Sequence, residues 1–237
     1  MTAHAIGMKR VLIAGDSIAL GTGADASRYA VGSQLKRDYA LSQVDVVAKS
    51  GARVRDVITQ LAQADKGYDI ALIIVGGNDV LRFTRLAKLA LHLRCALMVA
   101  ARKARWVIVA NSANVGGAPR FGWPLTAVLS RRSLNVKNIY EQVSACLGVR
   151  FVNFTFAPEH DVFARDPQRY FAADRIHPSA AAYETCYQWL LDRGGLKEQL
   201  RKVSRASALH GAHHSARDHA QSGEGVSASN APVPVTG

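Results

Sequence analysis

The chain has 237 residues, 49% of them hydrophobic, and carries 30 Lys and Arg against 18 Asp and Glu, for a formal charge of +12. No apolar run reaches the roughly 18 to 20 residues of a membrane span, because the longest, Leu86 to Ala101, is interrupted by Lys88, His92 and Arg94. The length suits one α/β domain with a sizeable core, residues 1–200, followed by a tail, 201–237.

The first element is a β-branched strand, Arg10 to Ala14. It follows Lys9 and faintly imitates a signal peptide, but Asp16 breaks the apolar stretch too early. Apolar residues at spacings of three and four then predict a helix over Arg28 to Tyr39, followed by a strand over Val44 to Ala48 and a helix over Val54 to Ala64. Ile70 to Val75 is a near-continuous apolar run, as expected of a strand buried on both faces. A helix over Arg85 to Ala104, a strand over Val107 to Ala110, a helix over Leu125 to Leu147, a strand over Val149 to Phe154 and a helix over Ser179 to Leu191 complete the pattern. Strand then helix, repeated five times, predicts an α/β fold with a five-stranded parallel sheet and helices on both faces.

Beyond residue 201 the composition turns to Ser, Ala, Gly, His and Pro without aromatics, which predicts a disordered tail. His210, His213, His214 and His219 lie in it without rigid flanking geometry, so neither a metal site nor a cofactor is expected. Three widely spaced cysteines, Cys95, Cys146 and Cys186, form no CxxC or Cys/His cluster. They read as reduced, mostly buried thiols in a cytoplasmic protein.

In open parallel sheets, ligands sit beyond the carboxyl ends of the strands. The polar groups found there are Gly15, Asp16 and Ser17; Ser50 and Gly51; Gly76, Gly77, Asn78 and Asp79; and, after the fifth strand, Asp174, Arg175, Ile176, His177 and Pro178. A serine hydroxyl becomes a nucleophile when an imidazole takes its proton and a carboxylate holds that imidazole in the right tautomer. Ser17, His177 and Asp174 supply these three groups, with Asp174 and His177 spaced to share one turn. Backbone N–H groups of Ser17 and Gly51, with the Asn78 amide, supply donors for a tetrahedral oxyanion. Each residue alone has an ordinary reading as a cap, turn or surface position; their joint placement at successive strand ends is what points to acyl transfer. Asp16 and Asp79 are assigned to fixing the two loops.

These four blocks, in type and order, resemble those of the SGNH/GDSL hydrolases over about Lys9 to Leu191. The resemblance implies a three-layer α/β/α sandwich of the flavodoxin-like SGNH hydrolase type. It also implies serine esterase chemistry, with catalytic Ser17, Asp174 and His177 and an oxyanion hole from Ser17, Gly51 and Asn78. Ile18 stands where the family has leucine, a conservative change.

Gly21, Thr22 and Gly23 do not make a dinucleotide loop, since they come too late after the first strand and no acid closes the second. Ile18, Asn114, Phe121 and Trp123 are the expected pocket residues, with two aromatics of the glycine-rich 111–124 loop as an apolar wall. The absence of an inserted lid domain predicts an open site for a small ester or acetylated substrate. Between Val80 and Tyr140 there are eleven Lys and Arg and no Asp or Glu. This region is either a solvated helix face with weak attraction to anionic surfaces or, as the alternative function, a binding site for an anionic surface or ligand. Without interleaved aromatics it is not expected to bind nucleic acid specifically. The sequence sets no oligomeric state.

Overall fold

The computed structural model describes residues 9–201, except 40 and 42. Its strands are β1 (Arg10–Gly15), β2 (Gln43–Val46), β3 (Tyr68–Ile74), β4 (Ala104–Ala110) and β5 (Arg150–Val152). The helices are α1 (Ala26–Tyr29), α2 (Val31–Asp38), α3 (Val54–Gln63), α4 (Gly77–Leu81), α5 (Leu86–Ala101), α6 (Leu125–Leu147), α7 (Val162–Arg165), α8 (Pro167–Tyr170) and α9 (Ala180–Asp192). All four strand pairings are parallel, in the order β2-β1-β3-β4-β5. Connections therefore diverge on either side of β1 and β3, and the crevice at their carboxyl ends is where this topology accommodates a ligand.

Alternation along the strands builds two cores. Leu12, Ala14, Ala71, Ile73 and Val109 point to one face and pack on α3, α5 and α6, where Val57, Leu61, Leu93, Leu97, Val136 and Tyr140 are buried. Val11, Ile13, Ile70, Leu72 and Ile108 point to the other and pack on Val31 and Leu35 of α2 and Tyr187 and Leu190 of α9. The result is the expected three-layer α/β/α sandwich. Burying a Leu or Ile side chain contributes about 1.5–3 kcal/mol, so these strand centres hold the sheet edge steady beneath the loops.

Several expectations shift at their boundaries. The helix expected over Arg28 to Tyr39 is two helices, because Ala30 is extended (φ −57°, ψ 142°) and the Gln34 side chain takes the Tyr29 carbonyl at 2.8 Å. The fifth strand ends at Val152, after which Phe154 donates its N–H to the Asn111 side chain rather than to a strand. Helices α4, α7 and α8 have no counterpart among the expected helices, being too short to show a periodicity. The cysteines are less buried than expected: Cys146 is exposed, and Cys95 and Cys186 are only partly covered. Among the described residues no helix is long and apolar enough to cross a membrane. Of the tail expected over 201–237, all but Arg201, and with it the histidines, lies outside the described residues.

Candidate active site

The turn after β1 is built around a buried carboxylate. Asp16 Oδ1 accepts from the Ile18 N–H at 2.9 Å, and Oδ2 accepts from the Gly76 N–H at 3.3 Å, tying the β1 and β3 ends together. Removal from water pushes the Asp16 carboxyl up to about 7, against the downward pull of those two backbone donors. Ser17, the next residue, is almost covered but lines the cavity described below.

After β2, Gly51 takes a left-handed conformation (φ +74°) that favours glycine, while a Cβ there would meet only the Arg82 guanidinium, at 4.0 Å. Backbone conformation, not space, therefore selects the glycine. Among the described residues, the N–H groups of Ser17 and Gly51 meet no acceptor. Asn78 sits in the first turn of α4. One of its amide hydrogens is committed to the Ala52 carbonyl (Nδ2 to O, 3.1 Å), which orients the group and leaves the second free. Its neighbour Asp79 accepts from the Val54 N–H at 2.9 Å, pinning α4 to the start of α3. Tyr140 supports the same loop from below, its hydroxyl donating to the Val75 carbonyl at 2.7 Å. Asp16 and Asp79 thus do the loop-fixing expected of them.

Asp174 organises its own loop. Oδ1 accepts from the N–H groups of Ile176 and His177 at 3.0 and 2.9 Å, and Oδ2 lies 2.5 Å from His177 Nδ1. Slight burial pulls the carboxyl upward, but the His177 side chain and the two backbone donors prevail and hold it at about 2. An ionised Asp174 assigns the ring proton to Nδ1, which leaves the Nε2 lone pair facing Ser17 Oγ at 3.2 Å.

The backbone is equally constrained. Ala172 donates to the His177 carbonyl at 2.8 Å, and Arg175, at φ +62°, accepts from the Arg120 N–H and donates its guanidinium to the Pro119 carbonyl. Behind His177 lies Gly23, where a Cβ would come within 2.7 Å of the His177 Cβ. His177 therefore rests against the backbone at Gly23, where a side chain would displace it.

A cavity of about 110 Å³ opens beside Ser17, Asn78 and His177. Ile18 and Asn114 are among its lining residues, although Asn114 is also occupied locally, its Oδ1 capping the Gly116 N–H at 3.1 Å. Phe121 and Trp123 do not line it: Phe121 packs against the core beneath α5 and α6, and Trp123 turns out to solvent. The apolar wall comes instead from Leu81, Phe154, Phe163, Tyr170, Phe171 and Ile176. Phe163 and Tyr170, on α7 and α8, meet edge to face at 5.3 Å. The site is thus more enclosed than the lack of an inserted domain suggested. In the sequence, the signal for this wall was Phe163, Tyr170 and Phe171 standing in a stretch rich in charged residues. Gly51 is not among the residues that line the cavity. Among the described residues no group of three His, Cys, Asp or Glu could hold a metal ion.

Residues 13–185 match the GDSL-like Lipase/Acylhydrolase family. A GDSL-like esterase of Mycobacterium tuberculosis is 26% identical over 183 residues, which is 73% of this chain and 57% of that protein. The chain therefore spans little more than half the length of this curated relative. An extracellular lipase from Streptomyces rimosus superposes with a TM-score of 0.61 at 19% identity, covering 78% of this chain and 99% of that one. An acetylxylan esterase from Geobacillus stearothermophilus gives 0.53 at 22% identity, covering 79% and 95%. At these identities the structural likeness speaks for the fold.

Proposed function

The chain belongs to the GDSL-like lipase/acylhydrolase family, and from that premise we propose that it hydrolyses short-chain acyl or acetyl esters through an acyl-serine intermediate. The observation that carries this reading is the continuous line from Ser17 Oγ to His177 Nε2 (3.2 Å) and from His177 Nδ1 to Asp174 Oδ2 (2.5 Å). Ser17 Oγ attacks the ester carbonyl carbon while His177 Nε2 takes its proton. The resulting oxyanion accepts from the Ser17 and Gly51 N–H groups and from the uncommitted Asn78 amide hydrogen. As the tetrahedral intermediate collapses, the bond to the alcohol oxygen breaks and His177 returns the proton to it. Water, deprotonated by the same imidazole, then releases the acid and frees Ser17. Asp174 keeps the imidazole oriented and stabilises its protonated form.

The cavity bounds the acyl group. It is a small pocket of about 110 Å³ with a mainly apolar wall that includes Leu81, Phe154, Phe163 and Phe171. This supports acetyl to butyryl groups over long chains. The test is a fluorophosphonate adduct mapped by mass spectrometry, together with turnover of p-nitrophenyl acetate and butyrate. The adduct is expected on Ser17, and Ser17→Ala is expected to abolish both labelling and turnover while melting at the wild-type temperature. Turnover that survives in Ser17→Ala would overturn the mechanism.

A further inference from the structure

The basic segment between Val80 and Tyr140 is not a uniform solvated face. At the end of α4 the chain turns at Phe83, a bulky residue at φ +49° whose side chain remains 51% exposed. A left-handed conformation is costly for such a residue and persists where a structure has use for it. The guanidinium of Arg132, on α6, stacks over the Phe83 ring at 5.2 Å and also donates to the Thr84 carbonyl. Leu125 and Val128 lie two turns and one turn before Arg132 on the same helix face, exposed by 43% and 48%. Trp123, just before α6, is 86% exposed. Leu125, Val128 and, through Arg132, Phe83 thus form one stripe, which Trp123 precedes in the chain.

Arginines border it. Arg82, Arg85, Arg120 and Arg131 are exposed, and among the described residues no carboxylate pairs with any of these four or with Arg132. The stripe also adjoins the cavity. Asn78 and Leu81, which line the cavity, precede Arg82 and Phe83 on the same short helix, and Val115 and Ala118 lead through Arg120 to Trp123.

We propose that the stripe formed by Phe83, Leu125 and Val128, with Trp123 and the arginine border, is a docking surface for an anionic phospholipid bilayer. Tryptophan and phenylalanine settle at the headgroup level, aliphatic side chains leave water at the acyl boundary, and arginines meet lipid phosphates. A nucleic acid would also attract the arginines. Contrary to the expectation of a basic segment without interleaved aromatics, Phe83 and Trp123 stand among the arginines; Leu125 and Val128, however, offer no ring on which a base can stack, and such aliphatic positions suit an acyl boundary better than a row of bases. Bilayer docking through this stripe turns the cavity mouth toward the lipid. The inference does not depend on Ser17 chemistry.

The experiment uses the full chain and vesicles of phosphatidylcholine with or without phosphatidylglycerol, read by co-sedimentation and by quenching of tryptophan fluorescence with brominated acyl chains. Binding is expected to require phosphatidylglycerol, to weaken with salt, and to fall about fivefold for each arginine neutralised in Arg85→Gln and Arg131→Gln. The quenching is expected to vanish in Trp123→Ala, which retains Trp106 and Trp189. Melting curves matching wild type keep these variants interpretable. Equal binding to both vesicle types, no binding to either, or wild-type binding by the double arginine variant would overturn the proposal. So would tight binding of a DNA oligonucleotide with no preference for the anionic vesicles.

Discussion

Two aspartates flank the Ser17–His177 contact, one in the turn after β1 and one in the loop before α9, and their surroundings drive them in opposite directions. Asp16 accepts from two backbone N–H groups, yet it is enclosed so completely that the loss of water outweighs both donors and its carboxyl rises to about 7. Asp174 has a side chain 44% exposed, and its two backbone donors and the imidazole take it down to about 2. One carboxyl is a strut whose charge is suppressed, and the other is a permanent anion facing a ring that must gain and lose a proton. Separation of this kind between neighbouring carboxyls is what assigns different roles to chemically identical side chains.

The harshest way to break the contrast is to remove the anion. In Asp174→Asn the imidazole loses the partner that selects its tautomer, and kcat on p-nitrophenyl butyrate is expected to fall by about a hundred- to ten-thousandfold with KM little changed. The lower end applies if water entering at an exposed position replaces part of the carboxylate. A loss under about threefold would reduce Asp174 to a loop cap, since its Oδ1 bonds to Ile176 and His177 have a purely structural role. The sign of its stability contribution is also fixed. A depressed folded-state pKa gives stability that is present above the unfolded value of 3.8 and lost as pH falls through about 2. The difference in melting temperature between wild type and Asp174→Asn should therefore close in strong acid.

Asn78 lies between the two aspartates in its demands, because one amide hydrogen is structural and the other is assigned to the oxyanion. Asn78→Ala is expected to lower kcat by about a hundred- to a thousandfold, the scale of one preorganised donor. KM should change far less, since the donor gains strength only as charge develops on the substrate oxygen. If KM rises while kcat holds, Asn78 binds the ground state and the oxyanion assignment fails.

How much of this was visible beforehand follows from how local each signal is. The five parallel strands and the order of the polar groups at their ends were legible, since β-branched runs and the residues that stop them are adjacent in the chain. Ser17, Gly51, Asn78, Asp174 and His177 could accordingly be named from position; the structure brings Ser17, Asn78 and His177 to one cavity, with Asp174 bonded to His177 and Gly51 outside the lining. The cavity wall was not legible. Phe163 and Tyr170 sit on helices of four residues each, too short for a hydrophobic period. Phe121 and Trp123 showed the opposite problem: a glycine-rich loop advertises aromatic residues without stating where they point, and one ring turned to the core and the other to water. The role of Gly23 was not legible either, since its close approach to His177 depends on a contact across most of the chain.

The mildest perturbation tests the strut. Asp16→Asn keeps the size of the side chain and removes its ability to ionise, at the cost of setting an amide hydrogen against one of the donors from Ile18 and Gly76. Because the pKa of Asp16 is raised on folding, its contribution to stability is full below 3.8 and is lost as pH climbs through about 7. Asparagine has no such loss. The variant is thus expected to melt below wild type near pH 4, with the gap narrowing through pH 7 and constant above it. The narrowing should amount to a few kcal/mol at most, because water penetration and relaxation soften the penalty on a buried charge. Turnover at neutral pH should stay within about tenfold of wild type, as Asp16 touches no reacting atom and acts through the turn that carries Ser17. A gap that stays constant from pH 4 to 8 would mean that Asp16 titrates alike in the folded and unfolded chain, and the contrast with Asp174 would lose one of its two halves.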